Sequence, residues 1–339
     1  MNALHVTRQT RLSLTTLILL MPALVLLTAA PWWAGRADLR LMGEIALYMS
    51  LATLWNLLAG YAGLVSVGQQ AYVGLGAYVF FALTLLAGVH PLAALPLLML
   101  VGAGMSATAA VLLFRLRGAY FAIGSWVLAE VFRLTFAQVS ALGGGSGISL
   151  PPAVVRALSD DRWMREAMAW WLALGAAALV IGVVVLFLRS RNGVALTAIR
   201  DNELAARSLG IDVWRTKFTV YVAVGALTTL IGALIFLQKL RISPDAAFSV
   251  NDWTAFVIFI VVIGGLGTIE GPIIGTLVFF ALRQTLADLG TIYLIALGLV
   301  AIAVMLWAPR GLWGLVRDRW GLEIFPLSRR VAGLNEKGH

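Results

Sequence analysis

Residues 168–188 read MAWWLALGAAALVIGVVVLFL, twenty-one consecutive residues without a charge, closed by Arg189. At about 1.5 Å of rise per residue, a helix of that length matches the roughly 30 Å hydrocarbon layer of a bilayer. The stretch reads as a membrane span, and it has company. Apolar runs of the same kind occupy about 12–30, 44–60, 71–87, 92–114, 119–140, 218–237, 253–265, 271–287 and 291–307, which makes about ten and predicts an all-α polytopic membrane protein. The whole composition agrees: 339 residues, 61% hydrophobic and 12% charged, where a soluble domain carries about 25% charged residues. With no cysteine in the chain, disulfides and thiolate chemistry are excluded, and with them a secreted disulfide scaffold. A cytosolic enzyme and a disordered regulator are excluded by the apolar content alone.

The formal charge of +9 would suit a nucleic-acid binder, but its distribution argues otherwise. With the N-terminus cytoplasmic, ten crossings put residues 1–11, Arg115 and Arg117, the loop 189–217 and the tail 308–339 on one side. Sixteen Lys/Arg fall in these segments and seven in the opposite loops, the positive-inside pattern of an N-in, C-in membrane protein. The run 12–30 follows Arg8 and Arg11, as a cleaved leader would. Its apolar stretch exceeds the roughly 7–15 residues of such a leader, so it reads as a retained first helix of a membrane domain spanning 12–307.

Two segments break the helical pattern. The first, GYAGLVSVGQQ at 60–70, places Gly60, Gly63, Ser66, Gly68, Gln69 and Gln70 directly between apolar runs. The second is Gly264, Gly265 and Gly267 followed by Gly271-Pro272, after a run at 253–265 that is too short to cross alone. Either break is a plain interhelical turn or a broken, re-entrant element along a polar path, which membranes tolerate only where protein or water covers the backbone. A faint repeat favours the second reading: VFFAL occurs at 79–83 and 278–282, and the same offset places Gly68 on Gly267 and Gly76 on Gly275. Paired breaks in two halves point to a transport path, along which Ser66, Gly68, Gln69, Gln70, Tyr72, Gly264, Gly265 and Gly267 are expected. Glu130 and Arg133 share a face inside one span, as a structural pair or as lining of that path. Glu44 and Arg283 lie near span ends, where snorkelling suffices. Gly102 with Ser106, and Gly271 with Gly275, have helix-packing spacing.

One connecting loop is far longer than a turn. Residues 195–209 are good helix formers, and Gly210 suits the left-handed position after a helix. A loop that folds reads as a docking element, with small Ala205 and Ala206 leaving room for another protein. The alternative is an amphipathic helix lying on headgroups.

This loop resembles the EAA-type coupling segment of ATP-binding cassette importer permeases, with Glu203, Ala205, Ala206 and Gly210 at matching places. The wider phrase from Ser190 to Asp212, including Arg200 and Asn202, is similar to LivM-type permeases of branched-chain amino acid importers. So are Gly60 to Tyr78, Leu116 to Arg133 and Val262 to Gly275, and together the resemblance covers about 40–310. Departures fall at Gly143, where Thr is usual, at Ser125-Trp126 in place of Thr-Leu, and at Val194 in place of Arg. The resemblance implies an importer permease fold, with Arg200, Asn202, Glu203, Ala205, Ala206 and Gly210 forming the ATPase-coupling loop. It also implies a second related permease subunit, two cytoplasmic ATPase subunits and an extracytoplasmic binding protein. The cargo would be leucine, isoleucine, valine or a related small polar metabolite such as urea or an amide.

Lys217, Lys239 and Lys337 are the lysines, none in a phosphate-cradling Gly-rich setting, so ATP is expected to be hydrolysed by partners and no cofactor held by this chain. His5, His90 and His339 are too scattered for a metal site or a triad, and nothing marks a nucleic-acid interface. The competing expectation is an ATP-independent secondary transporter or channel with Glu130 or Glu44 as its proton-coupling carboxylate.

Overall fold

The computed structural model describes residues 5–7, 21–286, 292–308, 310–320 and 330–332. Helix α1 (Arg36–Asn56) runs on into a π-helical turn, Leu57–Tyr61. It is followed by α2 (Gln69–Leu85), α3 (Pro91–Leu113), α4 (Ala119–Ala137) and the long α5 (Arg162–Arg189). Two short helices, α6 (Arg191–Asp201) and α7 (Glu203–Ser208), precede α8 (Val213–Lys239). The last third holds α9 (Phe256–Gly264), α10 (Glu270–Leu286), α11 (Ile292–Trp307) and α12 (Gly311–Trp320). Starts are set by local chemistry. Asp161 accepts from the Trp163 N–H ahead of α5, Asp212 from the Arg215 N–H ahead of α8, and Pro91 occupies the first turn of α3, where no N–H is needed.

Among the described residues, seven helices are long and apolar enough to cross a membrane. α2 and α10, at 17 residues each, span about 26 Å. The run expected to be too short, 253–265, is longer than the sequence pattern indicated. A short helix Pro244–Ala247, a π-helical turn Asn251–Ala255 and α9 form one 21-residue segment of crossing length. Proline and polar residues at its start hid it from a hydropathy reading. Of the expected first span, 12–20 lies outside the described residues, while 21–28 is helical. The indole N–H groups of Trp163, Trp170 and Trp171 on α5 donate to the carbonyls of Pro31, Leu27 and Thr28 and tie that segment down. Most of 1–11 and much of the tail after 320 also lie outside the described residues.

α8 is the central post, buried continuously from Val224 to Leu237 and packed by α2, α3 and α1. Close approach depends on glycine. A Cβ at Gly76 would overlap the Thr229 carbonyl of α8, and one at Gly275 would overlap the Ile260 carbonyl of α9. The two repeat-related glycines therefore occupy equivalent roles, each at a crossing where backbones touch, and the aromatic pairs Phe80-Phe81 and Phe279-Phe280 are buried beside them. Helices without a hydrophobic drive between them associate through such contacts. By contrast α4 is largely uncovered along one flank, exposing Tyr120, Ile123, Trp126, Val127, Val131 and Leu134.

The bundle has two distinct ends. α6 and α7 lie at one, here the loop end, together with both glycine-rich breaks. The far end holds the starts of α1, α3 and α5 and a two-residue antiparallel ribbon, Ile148–Ser149 with Arg241–Ile242.

Candidate functional site

At the loop end the expected single helix over 195–209 is two. Asn202 sits in extended conformation (φ −156°, ψ 104°), ending α6, and its side chain accepts from the Ala205 N–H to start α7. α7 closes as expected at Gly210 (φ 83°): the Gly210 N–H donates to the Arg207 carbonyl and the Ile211 N–H to the Ala206 carbonyl, the paired bonds of a glycine-terminated helix. The loop has its own small core of Ile199, Ala206 and Val213. Ala206 therefore faces inward, which corrects the reading of both alanines as an outward gap; only Ala205 is exposed. Glu203 bonds Lys217 at 2.8 Å and Arg207 at 2.7 Å, riveting α7 to α8. The Lys217 hydrogen bond, aided by the charges of Lys217 and Arg207, holds its carboxyl below the ordinary carboxylate range. Outward, the loop presents Val194, Leu204, Leu209 and Trp214, each at least half exposed.

Beneath the loop both glycine-rich breaks meet. Arg200, at the end of α6, turns inward and its Nη1 donates to the Gly60 carbonyl at 2.8 Å, while its Nε bonds Asp201 at 2.9 Å. Gly60 in turn lies against the second break, where a Cβ would stand 2.6 Å from the Gly267 nitrogen. Asn56, one turn earlier on α1, clamps that break: its Oδ1 accepts from the Gly267 N–H at 2.8 Å and its Nδ2 donates to the Thr268 carbonyl at 2.7 Å. Gly265 and Gly267 have φ of 131° and 76°, conformations that disfavour any side chain. Gly264 packs so close to Gly271 that a Cβ would overlap its carbonyl. One guanidinium and one carboxamide thus join three segments distant in sequence.

The remaining residues of the first break are tied into the bundle. The Trp55 indole donates to the Ser66 carbonyl at 2.8 Å, the Ser66 hydroxyl accepts from the Gly68 N–H, and Ser125 of α4 accepts from the Val67 N–H at 3.0 Å. Gly68 caps α2 with no room for a Cβ against the Ser125 carbonyl. Gln69 donates to Thr228 of α8 at 2.7 Å, Gln70 accepts from Thr254 of the π-helical turn, and the Tyr72 and Tyr221 hydroxyls bond at 3.0 Å. All of these side chains are buried.

Glu130 stands apart from that group. Arg133 grips both its oxygens, at 3.0 Å from Nε and 2.6 Å from Nη2, and reaches Asp245 at 2.8 Å, so the pair the spacing implied is a trio. Near the loop, a cavity of about 330 Å³ is lined by Gly63, Arg117, Phe121, Arg200, Glu203 and Trp214 among others, and Ser66, Gln69, Gln70 and Tyr72 do not line it. Among the described residues no group of three or more His, Asp or Glu side chains is placed to hold a metal.

Asn56, Thr228, Thr254 and Thr268 escaped sequence reading. Each is a single neutral polar residue in an apolar or glycine-rich run; the signal available was that such residues in a membrane helix need a partner inside the protein.

Comparison with known proteins places the chain. A family model described as "Branched-chain amino acid transport system / permease component" matches residues 39–309. The high-affinity branched-chain amino acid transport system permease protein LivM of Salmonella typhimurium is 28% identical over 328 residues, covering 90% of this chain and 77% of that protein. LivM of Escherichia coli is 27% identical with the same coverage. A probable branched-chain amino acid transport permease protein LivH of Methanocaldococcus jannaschii is 28% identical over 283 residues, 73% of this chain and 82% of that protein. No solved structure matches.

Proposed function

The chain belongs to the branched-chain amino acid transport permease family, and from that premise we propose that it imports leucine, isoleucine, valine or a related small polar metabolite across the inner membrane, driven by separate ATPase subunits. It is a non-enzymatic, multi-pass permease component of an ATP-binding cassette importer. The finer reading has about ten crossings, both termini cytoplasmic, and two broken or re-entrant glycine-rich segments. Its partners are a second related permease, two ATPase subunits, one of them seated on α6 and α7, and an extracytoplasmic binding protein.

The observation that carries this reading is the Arg200 bond to Gly60. A loop that merely connected α5 to α8 would have no reason to reach under the bundle and hold the carbonyl where both breaks touch. The apolar set Leu204, Leu209 and Trp214 supports the docking half, since an exposed apolar patch among polar residues marks a protein contact. Arg200, Asn202, Glu203, Ala205, Ala206 and Gly210 form the coupling loop in this account. Asn202, Glu203, Ala206 and Gly210 shape it, and Arg200 transmits its movement. Ser66, Gly68, Gln69, Gln70, Tyr72, Gly264, Gly265 and Gly267 are the elements whose hydrogen bonds and close contacts rearrange as the path opens at one end and closes at the other. Glu130 borders that path at the far end.

The test is gentle purification from the native membrane followed by reconstitution into proteoliposomes. ATPase subunits should accompany the chain, and leucine uptake should require ATP. Uptake on a proton gradient alone, without an ATPase, would select the secondary-transporter alternative with Glu44 or Glu130 as its carboxylate; each already bonds an arginine.

A further inference from the structure

The far end contains a second cavity, of about 530 Å³, that the coupling machinery does not use. Its walls come from the first two turns and the middle of α1 (Arg40, Leu41, Glu44, Leu47, Tyr48), the end of α8 (Ile235, Gln238, Lys239), Trp253 and Arg283. Glu44 lies about 12 Å along α1 from its start, so the hollow reaches well below the end of the bundle. The chemistry on its wall is of both signs. Arg283 bonds Glu44 at 2.7 Å through one carboxylate oxygen, and both side chains are about two-fifths exposed. Lys239 holds its ammonium 4.6 Å from the centre of the Trp253 ring, within the field of Asp252 and Glu44, and among the described residues neither it nor Arg40 is in an ion pair. Leu41, Leu47 and Ile235 supply an aliphatic wall beside these charges.

We propose that this cavity is a receiving site for an amino-acid zwitterion with an aliphatic side chain, resting on the importer reading above. A carboxylate is met by Arg40 and Lys239. An α-ammonium is met by the Glu44 oxygen that Arg283 leaves free, and a branched side chain by Leu41, Leu47 and Ile235. Cations alone on an apolar throat would suit an acidic lipid; Glu44 in the same wall adds an acceptor for an ammonium. The volume holds a leucine with room for water. Urea and simple amides lack the two opposite charges and would gain nothing from this set.

The test uses photo-leucine, a diazirine-bearing leucine analogue, on the reconstituted importer with all its subunits, in the proteoliposomes used for uptake. Adducts are expected on peptides spanning 37–48 and 235–241, suppressed by excess leucine and spared by 4-methylpentanoate or 3-methylbutylamine, which lack one charge each. Lys239→Gln, which orphans no carboxylate, should weaken leucine's competition roughly tenfold, the effect of losing about 1.4 kcal/mol. Adducts that leucine fails to displace but phosphatidylethanolamine does would make the site a lipid site and overturn the proposal. Adducts only elsewhere, with ATP-dependent uptake intact, would overturn it while leaving the importer reading standing. Absence of ATP-dependent leucine uptake by the unmodified importer would overturn both.

Discussion

The two glycine-rich breaks lie side by side at the loop end, yet hydrogen bonds and close packing hold them in different proportion. The first, 60–70, is held by hydrogen bonds: Trp55 to Ser66, Ser125 to Val67, Gln69 to Thr228, Gln70 to Thr254, and Arg200 to Gly60. The second, 264–271, has bonds from Asn56 and Thr268 but adds a run of exclusion, with Gly264, Gly271 and Gly275 packed where no Cβ fits, whereas in the first only Gly60 and Gly68 are so crowded. Directional bonds can be exchanged for others when a neighbour moves. A glycine-on-glycine contact has no substitute arrangement at that spacing. In the proposed import cycle the first break is the part that responds and the second the part it responds against, with Asn56 as the joint.

The largest expected effect breaks the second region. Gly264→Val forces side-chain atoms into the Gly271 carbonyl, and the prediction is loss of the monodisperse peak in size-exclusion chromatography. Gly63→Ala in the first break is the counterpart. Its φ of 66° imposes strain of about 1–2 kcal/mol, but Arg200, 3.8 Å away, is the nearest neighbour, so the protein should fold with a melting temperature lower by a few degrees. Equal damage from both would end the distinction.

Asn56→Ala comes next. It strands the Gly267 N–H and the Thr268 carbonyl, each at about 1–3 kcal/mol, and should lower thermal stability more than Gly63→Ala while leaving insertion intact. Replacing Gln69 and Gln70 with Ala tests the responsive side. Uptake should change in turnover or apparent affinity while expression does not, and unchanged kinetics would make these amides plain structural ties. The smallest effect is on pH. The folded Glu203 carboxyl is held below its ordinary range, so its contribution to the loop is complete above that range and is lost as pH falls through the depressed folded value. Amide-exchange protection across 203–217 should therefore hold from neutrality to mildly acidic pH and decline in strong acid, and Glu203→Gln should remove that acid transition.

Much of this arrangement was legible in the sequence. Apolar length marked a bundle of membrane helices because a bilayer sets a fixed helix length, though seven rather than about ten reach crossing length among the described residues, and Gly210 announced the end of α7 because few residues accept its backbone angles. The spacing of Gly271 and Gly275 signalled close packing, whereas the VFFAL echo only aligned Gly76 with Gly275 and the crossing at Gly76 had no signal of its own. What could not be read were the partners. Asn202 looks like one more helix residue until its side chain is seen capping a new helix, and Ala206 is indistinguishable from Ala205 until the helix phase is fixed. Glu44 and Arg283 each resembled a snorkelling end residue because their separation by 239 positions hides a single ion pair. Asn56 carries no motif; its importance comes from the second break folding back against α1.

The central claim is that Arg200 carries movement of the docking loop to the paired breaks, and the ratio of leucine imported to ATP hydrolysed in proteoliposomes tests it most directly. Arg200→Ala should retain its ATPase subunits and continue to hydrolyse ATP while uptake falls at least about tenfold, with Arg200→Lys intermediate because a single ammonium can reach Gly60 but cannot also grip Asp201 as the guanidinium fork does. An unchanged ratio in Arg200→Ala would contradict the account.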